Sequence, residues 1–352
     1  MLPVIAGVEG VTLSPREREL FSRLQPAGYI LFSRNIEDAE QVRELTDELR
    51  QISCDAGDPI IAIDQEGGRV IRTAAIGVQL PAAATLAQTR STHSIRQAAA
   101  YNARCLLSLG INTNFAPVLD LGSEQANALP SRCWGTDTQD VISYAGVWNR
   151  MAAHCGIMTC GKHFPGMGAA TCDPHSDLPV LHGTRDDFLR GPGIPFTALM
   201  PELPSLMIAH LLLPEIDADH PSSLSRTLVQ GFLRDQLGFE GVVFTDDLCM
   251  GAITHRYTPE QAVPLALRAG CDLPLVCHDS CEHLEAIAAA VRTLPCEVLT
   301  PALERIERFR MQCSSQPMMP YIAWRDFVQD VADFSAGFAP ADAVPDSPVQ
   351  DY

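Results

Sequence analysis

Residues 241–247 read Gly-Val-Val-Phe-Thr-Asp-Asp, an apolar, β-branched run that ends on two consecutive carboxylates. A short continuous apolar run suits a strand buried on both faces, as in a parallel sheet covered by helices. The same form recurs at 59–64 (PIIAID), 158–163 (MTCGKH) and 205–210 (SLMIAH), and more weakly at 3–8, 28–32, 112–118 and 271–277. Between these runs, helical spacing appears at 15–24, 37–52, 94–109, 140–155, 226–237, 259–269 and 281–292. Strands alternating with helices in this way predict an α/β fold, a single-domain (β/α)8 TIM-type barrel. A doubly wound open sheet is the competitor, because periodicity does not distinguish a closed sheet from an open one.

The strand ends say more than the strands. Asp64, Lys162 with His163, His210 and Asp246 each stand at the end of an apolar run. In a barrel these ends ring one mouth, where active sites are built. Any one of them can be a plain strand cap; several converging on one rim point to a site.

The bulk composition narrows the class. The chain has 352 residues, 46% hydrophobic and 19% charged, with a net charge of -18. So acidic a chain does not suit nucleic acid or an anionic membrane surface as partner. No stretch reaches the roughly 18 apolar residues of a membrane span. The start, MLPVIAGVEG, has no basic segment ahead of its apolar run, so no secretory signal is expected. The 12 cysteines are scattered without a CxxC pair, which suits reduced thiols in the cytoplasm. Residues 1–333 are expected to form the barrel and 334–352, rich in Ala, Pro and Asp, a disordered tail. A monomer or weak oligomer without cofactor or metal is expected.

Four clusters carry chemistry. In IDQEGGRVIR (63–72), Asp64 can accept hydrogen bonds from sugar hydroxyls and Arg72 can donate them, while Gly67 and Gly68 allow close backbone approach to a ligand. The plain alternative is an acidic cap beside a surface arginine. In SRCWGTD (131–137), Arg132 can serve a polar ring, and Trp134 is expected as packing. In GKHFPGMG (161–168), Lys162 and His163 are donors at a strand end; the loop continues to Asp173-Pro174-His175. Two residues apart, Asp173 and His175 can form a carboxylate–imidazole hydrogen bond, which fixes the tautomer and suits the ring to proton transfer. The rivals are solvated loop residues and a zinc site, but the spacing has no tight ligand motif. In GVVFTDDLCMG (241–251), Asp246 and Asp247 must point in different directions, one toward the mouth as a nucleophile and the other toward a helix N-terminus or the rim.

These motifs resemble glycoside hydrolase family 3, in its β-N-acetylglucosaminidase branch. IDQEGGRVIR, FAPVLDL, KHFPGMG, DPHSDLP, LMIAH, PSSLS and GFEGVVFTDDLCMGAI occur in the family's order, from about residue 28 to 277. The resemblance implies a barrel with the site at its C-terminal mouth, Asp246 as nucleophile, His175 as general acid/base with Asp173 as its partner, and Asp64, Arg72, Arg132, Lys162 and His163 as sugar-binding residues. It implies double displacement with retention, and for members of this type the release of N-acetylglucosamine from anhydromuropeptides in cytoplasmic peptidoglycan recycling. The chain departs from the pattern at Met167, where a histidine is usual, at Pro174, where serine is common, and at Cys133-Trp134, where Ser-Phe is usual. Two other readings fit the same residues: a phosphorylase, in which phosphate replaces water, and a catalytically silent sugar-binding or sensing protein. An intact set of Asp246, Asp173 and His175 favours the hydrolase over the sensor.

Overall fold

A computed structural model describes residues 1–53, 57–123, 129, 131–170, 174, 177–314 and 324–338. Its strands are β1 (Leu2–Gly7), β2 (Pro26–Leu31), β3 (Ile60–Ile63), β4 (Thr113–Asn114), β5 (Met158–Thr159), β6 (Gly161–Phe164), β7 (Ser205–Ile208), β8 (Val242–Asp247) and β9 (Leu273–Val276). They form one sheet in the order β5-β4-β3-β2-β1-β9-β8-β7-β6, with every pairing parallel. The two ends of that order are successive pieces of the same stretch, interrupted only at Cys160. The sheet therefore closes on itself. β1 and β9 are joined at Ile5–Leu275 and Ala6–Val276, and the opposite side is joined through residues 158–164. The fold is the (β/α)8 barrel, and the open-sheet alternative is excluded.

The closure explains a difference from the expected strand at 112–118. Only Thr113–Asn114 is regular strand, because Pro117 has no N–H to donate to a ladder. The carbonyls of Ala116 and Pro117 still accept from Cys160 N (3.0 Å) and Lys162 N (3.2 Å), and Leu119 N returns a bond to Lys162 O at 2.6 Å. These three bonds carry the seam past the short strand and set Lys162 at the mouth.

Side chains alternate across each strand. In β1, Val4 and Ala6 join the layer between sheet and helices, while Ile5 points into the barrel with Phe115, Phe244 and Leu275. The barrel's N-terminal end is plugged by the helix Cys296–Ser314, whose Ile306, Phe309 and Cys313 share one helical face. Phe244 meets Phe115 and Phe309 with ring centroids 5.0 and 6.0 Å apart. Truncating a buried ring such as Phe309 to Ala would cost about 3–5 kcal/mol. With the floor closed in this way, the barrel interior opens at its C-terminal mouth, where Asp64, Lys162 and Asp246 stand.

The last helix, Trp324–Ser335, runs past the boundary expected at residue 334. Phe334 belongs to it and packs on Tyr101 with centroids 5.4 Å apart, so the aromatic side chain is ordered by contact and not solvated as in a tail. Residues 339–352 of the expected tail lie outside the described residues. Residues 227–236 also differ from a plain α-helix: they wind as a π-helix, in which Leu237 N reaches back to Phe232 O at 3.0 Å. Among the described residues no helix is long and apolar enough to cross a membrane, and the described cysteines are free thiols.

Candidate active site

The polar residues of the mouth stand at strand ends or in the loops that follow them. β3 ends at Ile63 and hands on Asp64 and the loop 65–73. That loop is fixed from within: Gln65 N donates to Asn114 Oδ1 (3.0 Å), Gln65 O accepts from Asn102 Nδ2 (2.7 Å) and Asn114 Nδ2 (2.9 Å), and Gln65 Oε1 accepts from Arg72 N (2.9 Å). Gly67 and Gly68 have φ of 103° and 64°, a region that favours glycine. A side chain at either would strike Pro81 or Ala82. The glycine pair thus serves a close approach of two loops.

A cavity opens between these ends. Asp64, Glu66, Arg72, Arg132, Lys162 and His163 form its polar side, Asp246 and Asp247 its edge at β8, and Ile30, Phe32, Val70, Met207, Met250 and Leu275 an apolar wall. The structure therefore brings together five residues expected to hold sugar and the expected nucleophile. Pro174 also lines the cavity, and its carbonyl accepts from Ala252 N at 3.1 Å. Its neighbours Asp173 and His175 lie outside the described residues.

The polar side is a charge network. Lys162 Nζ is 2.6 Å from Asp64 Oδ1 and 2.7 Å from Glu66 Oε1. Arg132 meets the same Glu66 side-on, Nε to Oε2 and Nη2 to Oε1, both at 2.8 Å. Burial alone would raise the Glu66 pKa, but the charges of Arg132 and Lys162 overrule it and hold the carboxyl well below the usual range. Burial likewise works against the Lys162 ammonium, and Asp64 and Glu66 outweigh it, so its pKa is raised. The Arg72 guanidinium lies 5.5 Å above the centre of the Phe32 ring, and burial lowers its pKa against the pull of Asp64 and Glu66.

His163 is oriented by a residue that sequence reasoning missed. Its Nδ1 is 2.7 Å from Asp120 Oδ2, which also accepts from His163 N at 3.1 Å, while Asp120 Oδ1 accepts from Met167 N at 2.7 Å. Arg132 Nη2 stands 3.4 Å from His163 Nε2. A guanidinium can only donate and a carboxylate oxygen only accept, so Nδ1 is the ring nitrogen that donates to Asp120. Glu66 was missed too. Both acids sit inside motifs the sequence displayed, but their partners are distant in the chain, so no local signal marked the pairing.

At β8 the two carboxylates diverge as expected. Asp246 is half-buried, and its Oδ1 accepts from Asp247 N at 2.9 Å. Asp247 is buried, and its Oδ1 accepts from Cys249 N (2.9 Å) and Cys277 N (3.1 Å). Burial, reinforced by the Asp246 charge, pushes the Asp247 carboxyl up to about 6, against those two amide bonds. His210 does not face the cavity. It is fully buried between Ser223 Oγ (2.7 Å) and Asp247 O (2.9 Å). Trp134 is buried in the layer beneath the helices, as packing.

Chemically, this cavity offers a carboxylate beside an apolar wall and a set of donors and acceptors suited to a polyhydroxylated ring. Comparison with known proteins agrees. Residues 5–309 match the family described as "Glycosyl hydrolase family 3 N terminal domain". A beta-hexosaminidase of Pseudomonas aeruginosa is 34% identical over 304 residues, covering 86% of this chain and 89% of the relative. One from Thiobacillus denitrificans is 34% identical over 324 residues, covering 90% and 88%. The solved structure of NagZ from Neisseria gonorrhoeae in complex with N-trifluoroacetyl-D-glucosamine matches with a TM-score of 0.78 at 28% identity, covering 95% of this chain and 97% of that one.

Proposed function

We propose, from the premise that this chain belongs to glycosyl hydrolase family 3 and is a glycoside hydrolase, that it removes terminal β-linked N-acetylglucosamine with retention of configuration. The observation that carries this reading is the convergence of Asp246 with Asp64, Arg72, Arg132, Lys162 and His163 on one cavity. The relatives named beta-hexosaminidase, and the NagZ structure holding an N-acylated glucosamine, support the choice of sugar.

In this reading Asp64 accepts from ring hydroxyls while Lys162, Arg72 and the Nη groups of Arg132 donate to ring oxygens. Glu66 spends its charge on Lys162 and Arg132, so the donors are fixed before the sugar arrives, and Asp246 is the carboxylate that meets the anomeric carbon. Asp246 attacks to form a glycosyl-enzyme. His175, partnered by Asp173, protonates the departing oxygen and then takes a proton from the incoming water. An imidazole in that role does not add a second anion beside Asp246. Muropeptide fragments in the cytoplasm are the proposed physiological substrate.

Product analysis on a panel of p-nitrophenyl β-glycosides tests the assignment. Preferred release from the N-acetylglucosaminide, with the β-anomer appearing first by NMR, is expected. Initial α-anomer would overturn retention, and preference for another sugar would overturn the substrate. Sugar 1-phosphate formed in phosphate buffer would identify a phosphorylase instead.

A further inference from the structure

We propose that Asp247 is a positioning residue for the reaction, holding the turn after β8 so that its own backbone N–H fixes the carboxylate of Asp246. The proposal rests on the reading of Asp246 as nucleophile. Four bonds define the device. Asp247 N donates to Asp246 Oδ1 at 2.9 Å, which sets the plane of that carboxylate. Asp247 Oδ1 accepts from Cys249 N at 2.9 Å and from Cys277 N at 3.1 Å, so one oxygen ties the turn behind the nucleophile to the end of β9. Asp247 O accepts from His210 Nε2 at 2.9 Å, which ties the same residue to the segment that follows β7. A carbonyl only accepts, so His210 Nε2 must carry hydrogen, and its Nδ1 is engaged with Ser223 Oγ at 2.7 Å.

The residue beside the nucleophile is thus clamped from both neighbouring strands, and the clamp ends at the atom that orients Asp246. A bond from a side-chain oxygen to the amide two residues on is a common turn device by itself. Here the same oxygen takes a second amide from β9, and the residue that carries it also supplies the N–H held by Asp246. Geometry matters at such a position because a shift of about 1 Å in a reacting group can cost on the order of 100-fold in rate.

Three variants separate geometry from charge: Asp247→Asn keeps the acceptor oxygen in place without the charge, Asp247→Glu keeps the charge but displaces the oxygen, and Asp247→Ala removes both. With p-nitrophenyl N-acetyl-β-glucosaminide, positioning predicts kcat within about 5-fold of wild type for Asn. It predicts a fall of about 100-fold for Glu and Ala, with KM nearly unchanged in all three. Wild-type kcat in Glu, or equal losses in Asn and Glu, would overturn the proposal. Loss of thermal stability at unchanged kcat would reduce Asp247 to a structural turn residue and overturn it too. If the Ala variant does not fold, the Asn–Glu pair decides alone. Asp246→Ala is measured alongside: wild-type kcat there would sink the nucleophile reading and this proposal with it. An inactive Asp246→Ala beside unaffected Asp247 variants would sink only the positioning.

Discussion

Glu66 holds Arg132 through two parallel hydrogen bonds of 2.8 Å, and the same carboxylate lies 2.7 Å from Lys162. The Glu66 and Arg132 side chains are 4% and 6% exposed. Breaking one member of such a buried set leaves the other charges uncompensated, at a cost of about 3–5 kcal/mol. Glu66→Gln is therefore expected to lower the urea midpoint substantially and to raise KM, since Arg132 and Lys162 lose their common anchor. An unchanged midpoint would show that the network adds nothing to the fold.

Asp246→Ala and His175→Ala are each expected to cut p-nitrophenol release by orders of magnitude while leaving the unfolding transition in place. For Asp246 the basis is its place in the cavity; for His175 it is the motif DPHSDLP. Near-normal turnover in either variant removes that residue from the mechanism.

Asp120→Asn probes the orientation of His163. Asp120 accepts at both oxygens, from His163 Nδ1 and N at one and from Met167 N at the other. An asparagine cannot accept at its NH2 end, so one buried donor loses its partner, at about 1–3 kcal/mol. The expected result is a reduced melting temperature together with a rise in KM. A KM equal to wild type would mean that His163 needs no such orientation.

Stability should respond to pH in two opposite senses. Glu66 has a folded pKa below its ordinary value, so its contribution is present above that value and is lost as pH falls toward the folded one. Asp247 is raised from 3.8 to about 6, so its contribution is present below the ordinary aspartate range and is lost as pH rises through about 6. Within that upper window the loss is on the order of 1.4 kcal/mol per pH unit. Urea unfolding of wild type and Asp247→Asn at pH 4 and pH 7 measures it, and Asn should lose less stability over that interval. Equal losses in the two proteins would contradict a raised Asp247.

What the sequence revealed follows from local periodicity. Strand ends such as Asp64, Lys162 and Asp246 are legible because a short apolar run and its terminus are adjacent in the chain, and a barrel gathers all such termini at one mouth. Pairings across the barrel are not local. Nothing near Glu66 indicates Arg132, nor does anything near Asp120 indicate His163, because closure of the sheet creates those contacts. The plug helix Cys296–Ser314 went unread for another reason: no strand follows it in the alternation, and the face that closes the barrel is Ile306, Phe309 and Cys313, interleaved with charged residues. Gly67 and Gly68 were legible as special backbone, but the partner that demands them, Pro81–Ala82, was not.

The pairing of Ile5 and Ala6 with Leu275 and Val276 has a consequence for synthesis. β1 is synthesised well before β9, so its second edge stays uncovered until β9 pairs with it. Until then it presents bare backbone, an edge open to mispairing. The cavity draws on the ends of β3, β6 and β8, so it too is complete only after β8 has been made. Substrate can therefore stabilise the completed barrel but cannot assist the nascent chain.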